Sequence, residues 1–462
     1  MTKEDLVSKF ELDLKFLLTK GQRRFVDHAF AFMESKKPWC CLVISGYAGT
    51  GKTSMVSQLL RNIAYWNYTP VLLAPTGKAA KVVERMSKVP ANTIHRYIYK
   101  VEEEDDDFRF EIRKNTLKKG LYIIDEASMI GDVQESLSGG SLLADLFEFI
   151  FQQKGSKIIL VGDEGQLPPV GLDHSPALNL ENLKSLWDIP IAKVRLTEVV
   201  RQSLESGILS NATSLRSEAP VQLATSPDFE VVTANDFPDS LDTAYQKFGQ
   251  EEVLVVCRSN KMAYKYNQHI RNQLLWYEEE VCPNEILMVV KNNYFWLKHN
   301  KKTGFIANGE SITIHRILDH HQIGSFRFIE VEASLLGHED QLNLMLWLDS
   351  LNHDGPNLPR ETTRQLYQLV KRNIIIEKGR CTKSDLKKDP FVNALQVKYA
   401  YAVTCHKSQG GQWKKVYVDC GYYSPEPPDL EYRRWLYTAI TRSVEECALI
   451  QPPQHFLAEP SW

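Results

Sequence analysis

"WCCLVISGYAGTGKTS", residues 39–54, is an apolar run that breaks into a glycine-rich turn and closes on Lys52, Thr53 and Ser54. A strand, the GxxxxGK[ST] spacing and then a helix make a phosphate-binding loop. The glycines let backbone N–H groups turn inward around phosphate oxygens, and the following helix presents its positive end to them. Lys52 is placed to reach the β and γ phosphates, and the Thr53 hydroxyl to hold Mg²⁺. Nucleotide contacts are expected at Gly46, Ala48, Gly49, Thr50, Gly51, Lys52, Thr53 and Ser54. Cys40 and Cys41 are expected in the first core strand.

Working outward, "PVLLAPT" (70–76), "LYIIDEAS" (121–128) and "KIILVGD" (157–163) are further short apolar runs. Each ends in small or polar residues, with helix-like segments between them, the pattern of a parallel sheet covered on both faces. A second block repeats it in "EVLVVCRSN" (252–260), "YAYAVTCHKSQ" (399–409) and "KVYVDCG" (415–421). The expected fold is α/β, with one domain over residues 1–195 and another over 196–462. A short insertion at about 96–120 interrupts the first block, and a β-rich one at about 281–395 interrupts the second.

The length of 462 residues exceeds one hydrophobic core, in keeping with two domains. A net charge of −3 excludes a bulk polyanion binder, so a nucleic-acid site has to be a local groove. The eight cysteines form no CxxC pair or zinc-ligand spacing, which suits reduced thiols. With no leader and no apolar run of membrane-spanning length, the expectation is a cytoplasmic protein without a membrane partner.

Hydrolysis needs more than a phosphate loop. "LYIIDEAS" puts Asp125 and Glu126 at a strand's C-terminal end, the edge at which open α/β sheets bind ligands. Asp125 is assigned to Mg²⁺ and Glu126 to the attacking water. After the next strand, "GDEGQLPPVG" (162–171) brings Asp163 and Gln166 to the same edge. A neutral amide can contact a γ-phosphate and lose it on hydrolysis. Pro168 and Pro169 then stiffen the exit, so that a displacement at Gln166 moves the loop as a unit.

In the short insertion, "YIYKVE" (97–102) and "FRFEIR" (108–113) alternate apolar with polar residues around an acidic link. Tyr97, Tyr99 and Val101 share one face of the first, and Phe108, Phe110 and Ile112 one face of the second. This reads as a β-hairpin.

"GYAGTGKT", "APTGKAA", "TIHR", "IIDEASM", "GDEGQLPPV", "LTEVVRQ", "YAVTCHKSQGGQW" and "LYTAITRS" together resemble the ordered motifs of superfamily 1 helicases, subgroup B, of RecD-like and phage Dda-like type. They run in that order from about residue 18 to 442. The resemblance implies two RecA-like domains, the 281–395 insertion being an SH3-like module with extra helical material around 335–375. It implies an ATP- and Mg²⁺-dependent DNA helicase that translocates 5′→3′ along single-stranded DNA and opens duplex forks in repair, recombination or replication, as a monomer.

It further implies that Gln22 reads adenine and that Arg201 and Arg442 are arginine fingers acting with Lys52, Glu126 and Gln166. Pro75, Thr76, Thr93, His95, Asn260, Thr404, His406 and Lys407 become the DNA contacts, consistent with Thr, His and Asn bonding phosphates at little net charge. Gln409 and Gly410 fall where the ATP and DNA signals meet. The hairpin becomes a strand-separating wedge. Where the family has Glu after "SQGG", this chain has Gln412, which removes a charged acceptor for the nucleotide sugar. Recombination or single-strand-binding proteins are the implied protein partners. The alternatives are an ATP-driven remodeller of protein–DNA complexes, which would keep every motif, and a RecD-like subunit of a recombination nuclease, which the intact Lys52, Glu126, Gln166, Arg201 and Arg442 disfavour if it is inactive.

Overall fold

The computed structural model describes residues 2–104, 107–131, 140–200, 206–217, 220–297, 305–336, 340–421 and 428–458, and of 101–104 and 107–110 the backbone alone. The first sheet has six parallel strands in the order Ala91–Thr93, Thr69–Ala74, Gly120–Ile124, Lys157–Gly162, Cys40–Gly46 and Ile191–Leu196. Ser45 pairs with Gly162 and Ile124 with Leu160, which sets Gly46, Asp125 and Asp163 along one C-terminal edge. Period-two alternation sends Cys40, Leu42 and Ile44 to one face and Cys41 and Val43 to the other. The helices Lys20–Glu34 and Lys52–Arg61 cover the first face with Phe25, Val26, Met55 and Leu59. Leu142–Phe151 covers the second with Leu143, Phe147 and Ile150. Burial on both faces explains why these strands read as unbroken apolar runs.

The second sheet is also parallel: Ala402–Thr404, Val253–Cys257, Trp413–Asp419, Ser443–Ile450 and Phe229–Val232. The expected boundary at 195/196 falls inside the last strand of the first sheet, which runs to Leu196. Among the described residues no helix is long and apolar enough to cross a membrane.

The short insertion is a two-stranded antiparallel hairpin, Tyr99–Glu104 on Asp107–Ile112. The expected alternation starts too early at Tyr97, which lies in the helix Ile94–Ile98. Ile94 and Ile98, four apart and both buried, satisfy a helical period first, and Thr93 caps that helix. Tyr97 packs edge-on against Tyr122 and Phe149 in the core. Val101, Phe108 and Phe110 have side chains outside the described set.

The long insertion is a closed five-stranded barrel, Ile286–Val289, Ser311–Ile323, Phe326–Leu335, Gln341–Trp347 and Leu395–Tyr399. Its last strand continues past residue 395. The helical material lies later than expected, in Arg360–Lys378 and Lys383–Lys387, because Gln341–Trp347 is a barrel strand. Leu366, Val370 and Ile374, at helical spacing, pack on Phe328, Met345 and Trp347. The barrel is fastened to the second domain by a buried ion pair. Arg271 donates to Glu285 at 2.6 Å, and the hydroxyl of Tyr401 donates to the same carboxylate at 2.9 Å.

Candidate nucleotide cleft and strand groove

In the loop after Cys40–Gly46, Gly49 and Gly51 have φ of +74° and +83°, conformations costly for residues with a side chain. A Cβ on Gly46 would lie 2.8 Å from the Leu196 carbonyl, so the loop also needs glycine there for close approach. Lys52 Nζ donates to the Gly46 and Tyr47 carbonyls at 2.6 and 2.9 Å and lies 3.8 Å from Asp163. Thr50 is buried and spends its hydroxyl on the Tyr47 carbonyl. Gln22 is brought to the loop, its Nε2 donating to the Thr50 carbonyl at 3.3 Å. Its Oε1 accepts from the Thr19 N–H, so the amide also closes a helix cap.

Asp125 and Glu126 end the strand Gly120–Ile124, and Glu126 turns the chain with φ of +50°. Burial first, then the charge of Glu126, pushes the Asp125 carboxyl up. A cation would relieve that penalty, and the Thr53 hydroxyl with the Asp125 carboxylate are hard oxygen donors of the kind Mg²⁺ takes beside substrate phosphates. Among the described residues no group of three His, Cys, Asp or Glu forms a complete protein cage for a metal.

The second domain closes this edge. Arg442, 4% exposed, donates to the Thr438 and Gly411 carbonyls and lies 3.7 Å from Glu126. Arg201 lies outside the described residues; Val200 N–H donates to the Gly49 carbonyl, and Leu209 faces Gly49 from the other side of that gap. Tyr437, which sequence reasoning passed over, donates its hydroxyl to Asp163 at 2.7 Å and accepts from the Ala48 N–H at 2.8 Å. Burial and the Asp163 carboxylate both push that phenol up, which keeps it a donor. Only the tyrosine of the quoted "LYTAITRS" could have signalled it. The adjoining cleft, about 920 Å³, is lined by Asp163, Gln166, Arg195 and Tyr437, with Arg216 lying 3.8 Å over the Tyr47 ring.

The proline-stiffened loop is held from both sides. Leu167 N–H donates to the Thr438 hydroxyl at 2.8 Å, and the Leu167 carbonyl accepts from Gln409 at 2.9 Å. Gln166 is 6% exposed, and among the described residues its side-chain Oε1 finds no partner. The next residue after Gln409 touches the first domain. Gly410 has φ of +73°, and a Cβ there would meet Ala79 at 2.8 Å and the Thr76 hydroxyl at 3.0 Å.

Pro75 and Thr76 immediately precede the helix Gly77–Ser87, which Thr76 caps through the Ala79 N–H. Burial brings Lys78 of that helix and Lys407 of the second domain down to about 8 each, and at Lys78 the charges of Lys81 and then Lys407 add to it. Asn260, Thr404 and Lys407 share a small cleft with His353 and Lys398 of the barrel junction, and His406 is exposed beside it. Thr93 does not face the groove: it is 3% exposed and its hydroxyl accepts from the Arg96 N–H. Burial holds the neighbouring His95 down at about 4, so its imidazole is neutral at ordinary pH. Gln412 is exposed in a different cleft, with Lys78, Lys81 and Trp413.

Residues 17–235 match the family model of an AAA domain, and 399–450 that of the UvrD-like helicase C-terminal domain. "Uncharacterized protein R530" of Acanthamoeba polyphaga mimivirus is 23% identical over 493 residues, 87% of this chain and 93% of that protein. The ATP-dependent RecD2 DNA helicase of Deinococcus radiodurans is 31% identical over 183 residues, 39% of this chain but only 22% of the relative. Among solved structures, Pif1 helicase from Bacteroides in complex with ADP-AlF3 and ssDNA aligns over 96% of this chain and 95% of its own, at 16% identity and a TM-score of 0.49.

Proposed function

We propose that the chain is a superfamily 1 subgroup B helicase of RecD-like type, an ATP-dependent enzyme of DNA that translocates 5′→3′ on single-stranded DNA and unwinds forked duplexes. The observation that carries this reading is the step from Gln409 to Gly410. One side chain holds the Leu167 carbonyl in the nucleotide cleft, and the next residue packs on Thr76 and Ala79 at the groove. A shift of the "GDEGQLPPV" loop therefore reaches the groove through one peptide unit.

In this mechanism Lys52 and the loop N–H groups bind the phosphates, and Lys52 exchanges the Gly46 and Tyr47 carbonyls for them. Thr53 and Asp125 would hold Mg²⁺, which when bound would offset the charge that develops on the phosphates. Glu126 orients and deprotonates the attacking water, while Arg442 and Arg201 bring positive charge to the leaving phosphate. Gln22 reads the base. Loss of the γ-phosphate contact at Gln166 then moves Leu167 and the two second-domain side chains that grip it. Pro75, Thr76, His95, Asn260, Thr404, His406 and Lys407 alternate their hold on the strand as the lobes close and open, and the hairpin parts the duplex ahead.

Strand displacement on forked, 5′-tailed and 3′-tailed duplexes tests the reading. ATP-dependent release from the forked and 5′-tailed substrates alone is expected. Release from the 3′-tailed duplex alone would reverse the polarity, and ATP hydrolysis without release from any of them would favour a remodeller.

A further inference from the structure

A carboxylate of the barrel is buried where a chain of known sequence would not bring one by local folding. Glu310, just before the strand Ser311–Ile323, reaches into the first domain and pairs with Arg96 through both oxygens, at 2.7 and 2.8 Å. Both side chains are 9% exposed. Arg96 donates also to the Phe305 carbonyl at 3.0 Å, while its Nε is buried and, among the described residues, has no partner. The Glu310 carboxylate lies against Gly77, where a Cβ would stand 3.0 Å from its oxygen, at the first residue of the eleven-residue helix Gly77–Ser87. It accepts one further hydrogen bond, from the Ala307 N–H at 2.7 Å.

Three positive features therefore converge on one anion: the Arg96 guanidinium, the amino end of that helix, and the Lys81 ammonium, whose field acts on Glu310. Burial pushes the Glu310 carboxyl up, and Arg96, the Ala307 N–H and Lys81 pull it back. Gly77 directly follows Thr76, an implied strand contact against which Gly410 of the second domain packs. Guanidinium plus helix amino end is an arrangement that binds a phosphate as readily as a carboxylate.

We propose that Arg96 and the amino end of Gly77–Ser87 form a phosphodiester subsite of the strand groove, and that Glu310 is its internal placeholder, displaced when single-stranded nucleic acid enters. This rests on the reading of the chain as a strand-binding helicase. Because the barrel is fastened to the second domain, the displaced contact is also a bridge between the lobes on the groove side.

The two halves of the ion pair then have opposite effects on binding, which a structural pair does not. Anisotropy of a labelled oligothymidylate should show Glu310→Gln binding about threefold to tenfold tighter, because the competing charge is gone, and Arg96→Gln about tenfold weaker. Both variants lose thermal stability in the absence of DNA. Hydrogen exchange in the wild-type chain gives a reading that no variant's folding can confuse: the Ala307 amide, released when Glu310 leaves, exchanges faster with the oligonucleotide bound. Equal-sign changes in the two variants, or slower exchange at Ala307, overturn the placeholder while leaving strand binding intact. A wild-type chain that does not bind the oligonucleotide overturns the helicase reading, and the subsite with it.

Discussion

The hydroxyl of Tyr437 in the second domain donates to Asp163 in the first, 2.7 Å away, and its oxygen accepts from the Ala48 N–H of the phosphate loop. A donor that the loop needs for phosphate is thus already used by a phenol. Nucleotide binding has to break that bond, so Tyr437→Phe should bind ATP tighter by about 2- to 10-fold, the net worth of one hydrogen bond of about 0.5–1.5 kcal/mol. Titration with a fluorescent ATP analogue measures it. Weaker binding would mean that the phenol supports the loop instead of competing for it.

Lys52 and Glu126 act at different stages in the proposed mechanism. Lys52→Ala should lose both ATP binding and turnover. Glu126→Gln should keep binding within a few-fold and lose hydrolysis by at least about 100-fold, the range of a general base. Equilibrium binding set beside steady-state ATPase separates the two. Near-normal turnover in Glu126→Gln would remove that side chain from the chemistry.

Thr438 and Gln409 hold the two polar atoms of the Leu167 backbone. Thr438→Val leaves the buried Leu167 N–H unpaired, a cost of about 1–3 kcal/mol. Basal ATPase should persist in Thr438→Val and Gln409→Ala while stimulation by single-stranded DNA falls severalfold. Stimulation equal to that of the parent would route the coupling elsewhere.

Burial brings both Lys78 and Lys407 down to about 8, with the charges of Lys81 and then Lys407 adding to the effect at Lys78. A polyanion in the groove favours their charged forms, so strand binding takes up protons when the free lysines are partly neutral. Affinity should therefore be flat below pH 8 and fall as pH rises above it, by up to about tenfold per unit for each lysine. Anisotropy titrations from pH 7 to about 9.5 read this directly. Lys78→Ala should bind more weakly and show a shallower fall; an unchanged slope would place Lys78 outside the groove.

Replacing residues 101–112 by a short Gly-Ser linker should leave DNA-stimulated ATPase largely intact and abolish most unwinding. The hairpin stands outside both sheets, so little of either core is lost. Unwinding of a 5′-tailed duplex at the parental rate would show that the strands part at another element.

Much of the nucleotide cleft could be read from the sequence because its parts are local. Glycines at 49 and 51, a lysine one residue on and a carboxylate pair at a strand end each obey a backbone constraint within a few residues. What lies between the domains could not be read in that way. Glu310 meets Arg96 across 214 residues of chain, and nothing near either residue marks the pairing. Tyr437 stood inside a recognised motif, but its two partners belong to the other domain. Tyr97 reads as a strand residue because "YIYKV" alternates; the isoleucines at 94 and 98 instead fit the helix Ile94–Ile98 that contains it, and only the position of the core decides between the two periods. Thr93 fits a groove contact by residue type, yet its hydroxyl caps the helix that carries Arg96.

The barrel leaves and rejoins the chain through neighbouring strands, Leu287 pairing with Tyr399 and Val289 with Val397. Entry and exit are thus about 5 Å apart, one strand spacing. The insertion is a loop in the topological sense, an excursion that returns to its starting point, and the second sheet resumes at Ala402 as though the chain had made one tight turn. Whatever is added, lengthened or lost within that excursion need not change the path of the ATPase around it. The groove can therefore gain or lose a wall without redesign of the motor beneath it.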